Sequence, residues 1–122
     1  MRGVPKRRSK LRRTGPKSDR DRAMTSNIHE LCCSELASLL SSGEVRAIEI
    51  ANALIDEVRK LPDANAFVDF DAEAVRAEAE NSDRLRLSGG PVGPLHGVPI
   101  AFKDNINVKG YATTAGTAAS QT

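Results

Sequence analysis

Residues 88–99 read SGGPVGPLHGVP, and five of the first seven are Gly or Pro. Pro locks φ and removes a backbone donor, and Gly loosens the chain, so no helix or strand runs through such a stretch. The chain therefore divides there, with a loop of defined turns between two differently built parts. Before the loop, apolar residues recur at helical spacing. After it comes a short apolar run, VPIAFK.

The first part predicts three helices. Residues 27–42 carry Ile28, Leu31, Cys32, Leu36, Leu39 and Leu40 on one face. Asn27 is placed to cap this helix, with Glu30 completing a capping box, and Gly43 stops it. Residues 45–60 repeat the pattern with Ile48, Ala51, Leu54, Ile55 and Val58. Arg59 and Lys60 suit the C-terminal dipole, and Pro62 ends the helix. The short turn between the two predicts a helical hairpin. A third helix, 72–87, has Asp71 as its N-cap and Val75, Ala79, Ser82 and Leu85 along one side. Its Glu73, Glu78, Glu80, Asp83 and Arg84 read as a solvated face.

Two segments predict strands. Residues 66–70, AFVDF, are one, and residues 98–103, VPIAFK, are the other. In VPIAFK both faces are apolar, as in a strand covered on both sides of an α/β sheet, with Pro99 among its first residues. Residues 104–122 follow with no stop signal, closing helix or polar tail, so the chain reads as cut rather than finished.

Charge is uneven along the chain. Residues 1–23 hold ten Lys and Arg against two acids, and the remaining residues hold eight against fourteen. Residues 1–26 are therefore expected to be a disordered basic arm, unable to offset its ordering entropy, ahead of a domain at 27–122. A dispensable tail, a nucleic-acid-binding arm and a transit peptide are the alternatives for it, in that order. No apolar run approaches the ~20 residues that span a bilayer, and no apolar stretch follows the basic start as in a secretory signal. A cytoplasmic protein is the default. Aromatics are only 3% of the chain, so the core must be built from Ala, Leu, Ile and Val. The two cysteines, Cys32 and Cys33, are adjacent and read as buried thiols, with no second Cys/His cluster to complete a metal site.

Lys103 is the residue with the most chemical potential. It ends an apolar run and is followed by Asp104. A lysine partly desolvated at a strand end can be neutral near pH 7 and accept a proton, as in a Ser-Lys arrangement. A lysine reaching water, or paired with Asp104, is the plainer reading of the same spacing. Thr113, Thr114, Gly116 and Thr117 form a second cluster, in which hydroxyls and close backbone approach suit substrate binding or an ordinary turn. Asn105 can anchor the loop by local bonds. His96, inside the Gly/Pro loop, reads as ordering that loop more than as a proton carrier, and His29 carries no assignment. No phosphate-binding loop, dinucleotide fingerprint or zinc spacing is present.

Residues 93–117, GPLHGVPIAFKDNINVKGYATTAGT, resemble the N-terminal block of the amidase-signature family. The shared features are a Gly-Pro-Leu-x-Gly-hydrophobic-Pro run, a segment ending in Lys-Asp-Asn and a Thr-Thr-Ala-Gly-Ser/Thr turn. Upstream, Ser42-Gly43-Glu44 and Asn65-Ala66-Phe67-Val68 are similar as well, so the resemblance covers residues 27–122. It implies an α/β class chain, the N-terminal portion of an α/β/α sandwich around a mixed sheet. It implies a carboxylic-amide hydrolase working through a Ser-cisSer-Lys triad whose lysine matches Lys103. The two serines lie downstream in that family, and Ser120 is neither of them, so the chain alone is expected to be inactive. Thr114 and Gly116 are the substrate-binding candidates. Neither a cofactor nor a metal is implied, and the expected partners are a small amide and the rest of the same domain, not a membrane or nucleic acid. The Gly116-Thr117 pair most resembles indoleacetamide- and mandelamide-type hydrolases. The alternatives are the amidase component of a tRNA-dependent amidotransferase, acting on glutamyl- or aspartyl-tRNA, and a truncated, non-catalytic remnant.

Overall fold

The structure, a computed structural model, describes residues 27–117. The expected basic arm, 1–26, lies outside the described residues. Three helices carry the fold: α1 (Cys33–Ser42), α2 (Ala47–Lys60) and α3 (Ala72–Leu87), with short 3-10 turns at Ile28–Glu30 and Pro62–Ala64.

The first expected helix is divided. Residues 28–30 make a 3-10 turn, Leu31 and Cys32 are extended, and the α-helix begins at Cys33. The expected box at Asn27 and Glu30 is therefore displaced. Glu35 accepts from the Cys32 N–H at 2.8 Å instead, one of the donors left open at a helix start. This bond, led by the backbone N–H, holds the Glu35 carboxyl below its ordinary range. Gly43 ends α1 as expected, with φ 76° and its N–H directed back to Leu39 and Leu40 carbonyls.

Helix α2 begins at Ala47 after an extended Arg46, whose side chain cannot accept a hydrogen bond. Its open N–H groups are served from elsewhere. Glu49 accepts from Arg46 N–H at 3.1 Å, and Asp83 of α3 accepts from Ala47 and Ile48 at 2.7 and 3.1 Å. Asp83 is thus no part of a solvated face: it caps another helix through space. Helix α3 has its own cap, Asp71, accepting from Glu73 at 2.9 Å and Ala74 at 3.0 Å, as the sequence predicts. Asp83 lies across from Ala47, and Arg76 donates to Asn52 at 2.9 Å, so α2 and α3 run antiparallel. They form the most extensive helix pairing, and the hairpin expected for the first two helices falls one element later.

The core is aliphatic. Ile28, Leu36, Leu40, Val45, Ala47, Ile50, Ala51 and Ile55 are buried, with no aromatic among them. Helix α3 contributes no buried residue; its Ala79 packs half-buried against the core, and Arg76 and Asp83 add polar links to α2. The Gly/Pro loop docks on this unit. His96 donates from Nε2 to the Ser82 carbonyl at 2.8 Å, Arg86 donates to the His96 carbonyl at 2.7 Å, and Val98 packs on the core. Gly97 sits at φ 86° where a Cβ would come within 3.2 Å of Ala47 Cβ.

The α/β expectation is overturned. Among the described residues there is no strand: 66–70 and 98–103 are irregular, and the mixed sheet of an α/β/α sandwich is not formed. A strand acquires its hydrogen bonds from neighbouring strands, and neither segment serves as ladder partner to the other. Ile100 and Phe102, read as part of a strand covered on both sides, are exposed, as are Phe67 and Val68 of the other expected strand. The described chain is a helical unit followed by a long shaped loop.

Candidate functional site

Lys103 begins the last folded feature, residues 103–117. Its carbonyl accepts from Ile106 N–H at 2.9 Å, making a turn in which Lys103 itself is exposed. A second turn returns Tyr111 N–H to the Val108 carbonyl at 3.1 Å. The chain then reaches Thr113 and Thr114, and the loop closes on itself at Asp104. Thr113 Oγ1 donates to the Ile106 carbonyl at 3.4 Å across the loop.

Closure is centred on one carboxylate. Asp104 accepts from the Thr114 N–H at 2.9 Å, from the Thr114 hydroxyl, and from the Gly116 N–H at 3.4 Å. The Asp104 carbonyl accepts from Ala115 N–H at 3.1 Å. The Thr114 hydroxyl is the main reason the Asp104 carboxyl lies below its usual range, followed by the Thr114 N–H, with partial desolvation opposing and the Gly116 N–H adding to the lowering. Thr117 closes the turn, its N–H and hydroxyl both donating to the Thr114 carbonyl at 2.9 and 3.0 Å. Ala115 and Gly116 take positive φ, 49° and 74°.

Thr114 and Gly116 are therefore brought to Asp104, the chain neighbour of Lys103, in an arrangement that spacing alone did not reveal. Lys103 is next to a carboxylate that bonds Thr114 and Gly116, and Lys103 has no ion pair among the described residues. Thr114 and Gly116, expected to face substrate, direct these donors to Asp104. The anchoring role considered for Asn105 is carried by Asp104. A signal was present in the sequence: an Asp ten residues before a Thr-Ala-Gly turn whose glycine permits inward-facing N–H groups.

The other singled-out residues lie apart from this loop. His96 orders the Gly/Pro segment through Ser82, as its plainer reading held. His29 faces Glu57 at 3.6 Å and Glu30 at 3.9 Å. Cys32 and Cys33 are exposed, not buried, because they occupy the cap and first position of α1 while Leu36 and Leu40 take its buried stripe. Among the described residues, no group of His, Cys, Asp or Glu could hold a metal ion. No described helix is long and apolar enough to cross a membrane.

A helical unit presenting a Lys-Asp-Asn loop closed on a Thr-Thr-Ala-Gly-Thr turn has clear relatives. The Amidase family model matches residues 49–122, and the chain belongs to that family. It is 42% identical over 83 residues to a glutamyl-tRNA(Gln) amidotransferase subunit of Salinispora tropica, covering 67% of this chain and 17% of that protein. It is 36% identical over 97 residues to the mandelamide hydrolase of Pseudomonas putida, covering 80% of this chain and 19% of that one. It is 41% identical over 91 residues to the acylamidase of Rhodococcus erythropolis, covering 74% and 19%. The chain thus spans less than a fifth of the length of these relatives. No solved structure matches it.

Proposed function

We propose that this chain supplies the base-bearing segment of a hydrolase acting on a carboxylic amide, with Lys103 as the base. The observation that carries the reading is the commitment of Asp104 to Thr114 and Gly116. With the Asp104 carboxylate bonded to Thr114 and Gly116, Lys103 has no ion pair among the described residues and stands exposed at the start of the loop.

In the proposed chemistry, Lys103 accepts a proton through one serine hydroxyl from a second serine, as the resemblance implies. The second serine oxygen attacks the amide carbonyl and forms a tetrahedral oxyanion, stabilised by backbone N–H donors. Collapse breaks the C–N bond, the leaving nitrogen takes up the proton, and an acyl-enzyme remains. Water then releases the acid and regenerates the serine. We place the enzyme in the cytoplasm, acting on a small amide.

Relatives called mandelamide hydrolase and acylamidase support a stand-alone hydrolase. The 42% identity to an amidotransferase component supports a second reading, the same chemistry within a partnered assembly that acts on charged tRNA.

The test is a graft. Residues 27–122 replace the matching segment of the Rhodococcus acylamidase, and ammonia or amine release is measured without partners or ATP. Turnover is expected in the graft and not in the 122-residue chain alone. Lys103→Ala should lower turnover by about 10²–10⁴-fold, the typical share of a general base. Lys103→Arg should not restore it, because guanidinium stays charged. A near-normal Lys103→Arg graft removes Lys103 from the role of base. A graft active only with amidotransferase partners and charged tRNA selects the second reading. A graft inactive in every assay leaves a non-catalytic remnant.

A further inference from the structure

Asp104 binds the loop around Lys103 together across ten to twelve positions of sequence. Its carboxylate receives the Thr114 N–H, the Thr114 hydroxyl and the Gly116 N–H, and its carbonyl receives the Ala115 N–H. With left-handed backbone at Ala115 and Gly116, the turn sends the Thr114 and Gly116 N–H groups to the Asp104 carboxylate and the Ala115 N–H to the Asp104 carbonyl. Thr114 and Gly116 are therefore occupied inside the loop rather than held open for a ligand.

Lys103 is one peptide bond from this anchor, and its carbonyl bonds Ile106 N–H on the other side. Ile106 is in turn tied to Thr113. The backbone that carries the lysine is thus held at two points, and both lead to the 113–114 step.

We propose that Asp104 is a positioning residue for Lys103: seated in the 113–117 turn, its carboxylate fixes the backbone from which the lysine reaches its proton donor. The catalytic half of this proposal rests on Lys103 being the base. The mechanical half does not. A base displaced by about 1 Å loses on the order of 10²-fold in rate, so a clamp at the adjacent residue bears on kcat rather than on substrate affinity.

The mechanical half is read by NMR on the full 122-residue chain, with no turnover required. Followed from pH 7 downward, the Thr114 and Gly116 amide signals should move together in one step centred below the ordinary aspartate value of 3.8. The step should vanish in Asp104→Asn. Thr114→Val, which removes the hydroxyl but keeps the shape, should speed hydrogen exchange at the Ile106 amide about 10-fold, and Thr114→Ser should restore it. Flat titrations, titrations unchanged in Asp104→Asn, or Ile106 exchange unchanged in Thr114→Val overturn the clamp.

The catalytic half is read in the acylamidase graft. Asp104→Asn should lower kcat about 10- to 100-fold with KM within about twofold, and Thr114→Ser should stay close to the parent where Thr114→Val falls. If Lys103→Ala abolishes turnover while Asp104→Asn leaves it intact, the positioning role is overturned and the base stands. If Lys103→Ala retains turnover, the base reading and the catalytic half fall together, and the titration still decides whether Asp104 holds the loop.

Discussion

Removing the Asp83 side chain should unfasten the two longest helices from each other. Asp83 accepts from both Ala47 and Ile48 in a partly buried position, at the start of a helix whose own flanking residue, Arg46, offers no acceptor. Losing a capping acceptor costs about 1 kcal/mol, within a range of about 0.5–2. Losing a negative charge beside a helix N-terminus adds about 0.3–1 kcal/mol. Asp83→Ala should therefore destabilise the chain by about 2 kcal/mol. For a unit of this size each kcal/mol shifts Tm by about 4–8 °C, so the expected fall is about 8–16 °C. Asp83→Asn keeps one acceptor oxygen and should show about half of this. Glu80→Ala, on an exposed position of the same helix, should stay within about 0.5 kcal/mol of the parent. Thermal unfolding of the chain and its three variants by far-UV circular dichroism decides the matter. An Asp83→Ala melting curve that overlays that of Glu80→Ala refutes the through-space cap and returns Asp83 to the solvated face assigned from sequence.

Three further outcomes follow from the packing and the charges. Gly97→Ala should cost about 2–3 kcal/mol, because it combines a left-handed backbone with a Cβ 3.2 Å from Ala47 Cβ; Gly43→Ala, left-handed but with nothing within 4 Å, should cost only about 1 kcal/mol in the same denaturant titration. Ile50 has 0% exposure, so Ile50→Ala should cost about 2–5 kcal/mol and broaden or abolish the cooperative transition seen by urea unfolding. Glu35, Glu57 and Asp104 all have folded values below their ordinary ones, owing first to the Cys32 N–H, the Lys60 ammonium and the Thr114 hydroxyl respectively. The unfolded chain therefore takes up protons first on acidification. The stability these groups add is present above the ordinary 4.5 of Glu and 3.8 of Asp, and is lost as pH falls through the depressed values. Tm should be flat from pH 7 to about pH 5 and decline below it, and a Tm that rises in acid would contradict those bonds.

Local chemistry was legible. Asp71 caps α3, Gly43 turns the chain out of α1, α2 stops short of Pro62, and the scarcity of aromatics led to an aliphatic core. Each of these depends on a residue and its near neighbours, and a sequence displays neighbours. Lys103 was singled out as a lysine at the end of an apolar strand, but 98–103 is irregular and Lys103 is exposed; what stands is the family resemblance around it, borne out by membership of the Amidase family. Its catalytic role is a proposal that the graft tests.

What the sequence alone did not contain were the relations between distant positions. An apolar run such as VPIAFK has the composition of a strand, but a strand also needs a neighbouring strand to pair with, and 98–103 has none among the described residues. Cys32 fits the apolar period of a longer helix, yet the break at Leu31 and Cys32 places both thiols at the exposed start of α1. Asp83 looks like one more acid on a polar face until α2 is laid antiparallel beside it. Asp104 looks like a counter-ion for its neighbour until the chain returns ten residues later with Thr114. Amino-acid order determined where the helices end and where α3 begins, because propensity and capping act over a few residues. The tertiary structure decided which acid caps which helix and where the carboxylate beside Lys103 is bonded, because a carboxylate bonds the donors that folding brings within about 3 Å, whatever their distance along the chain.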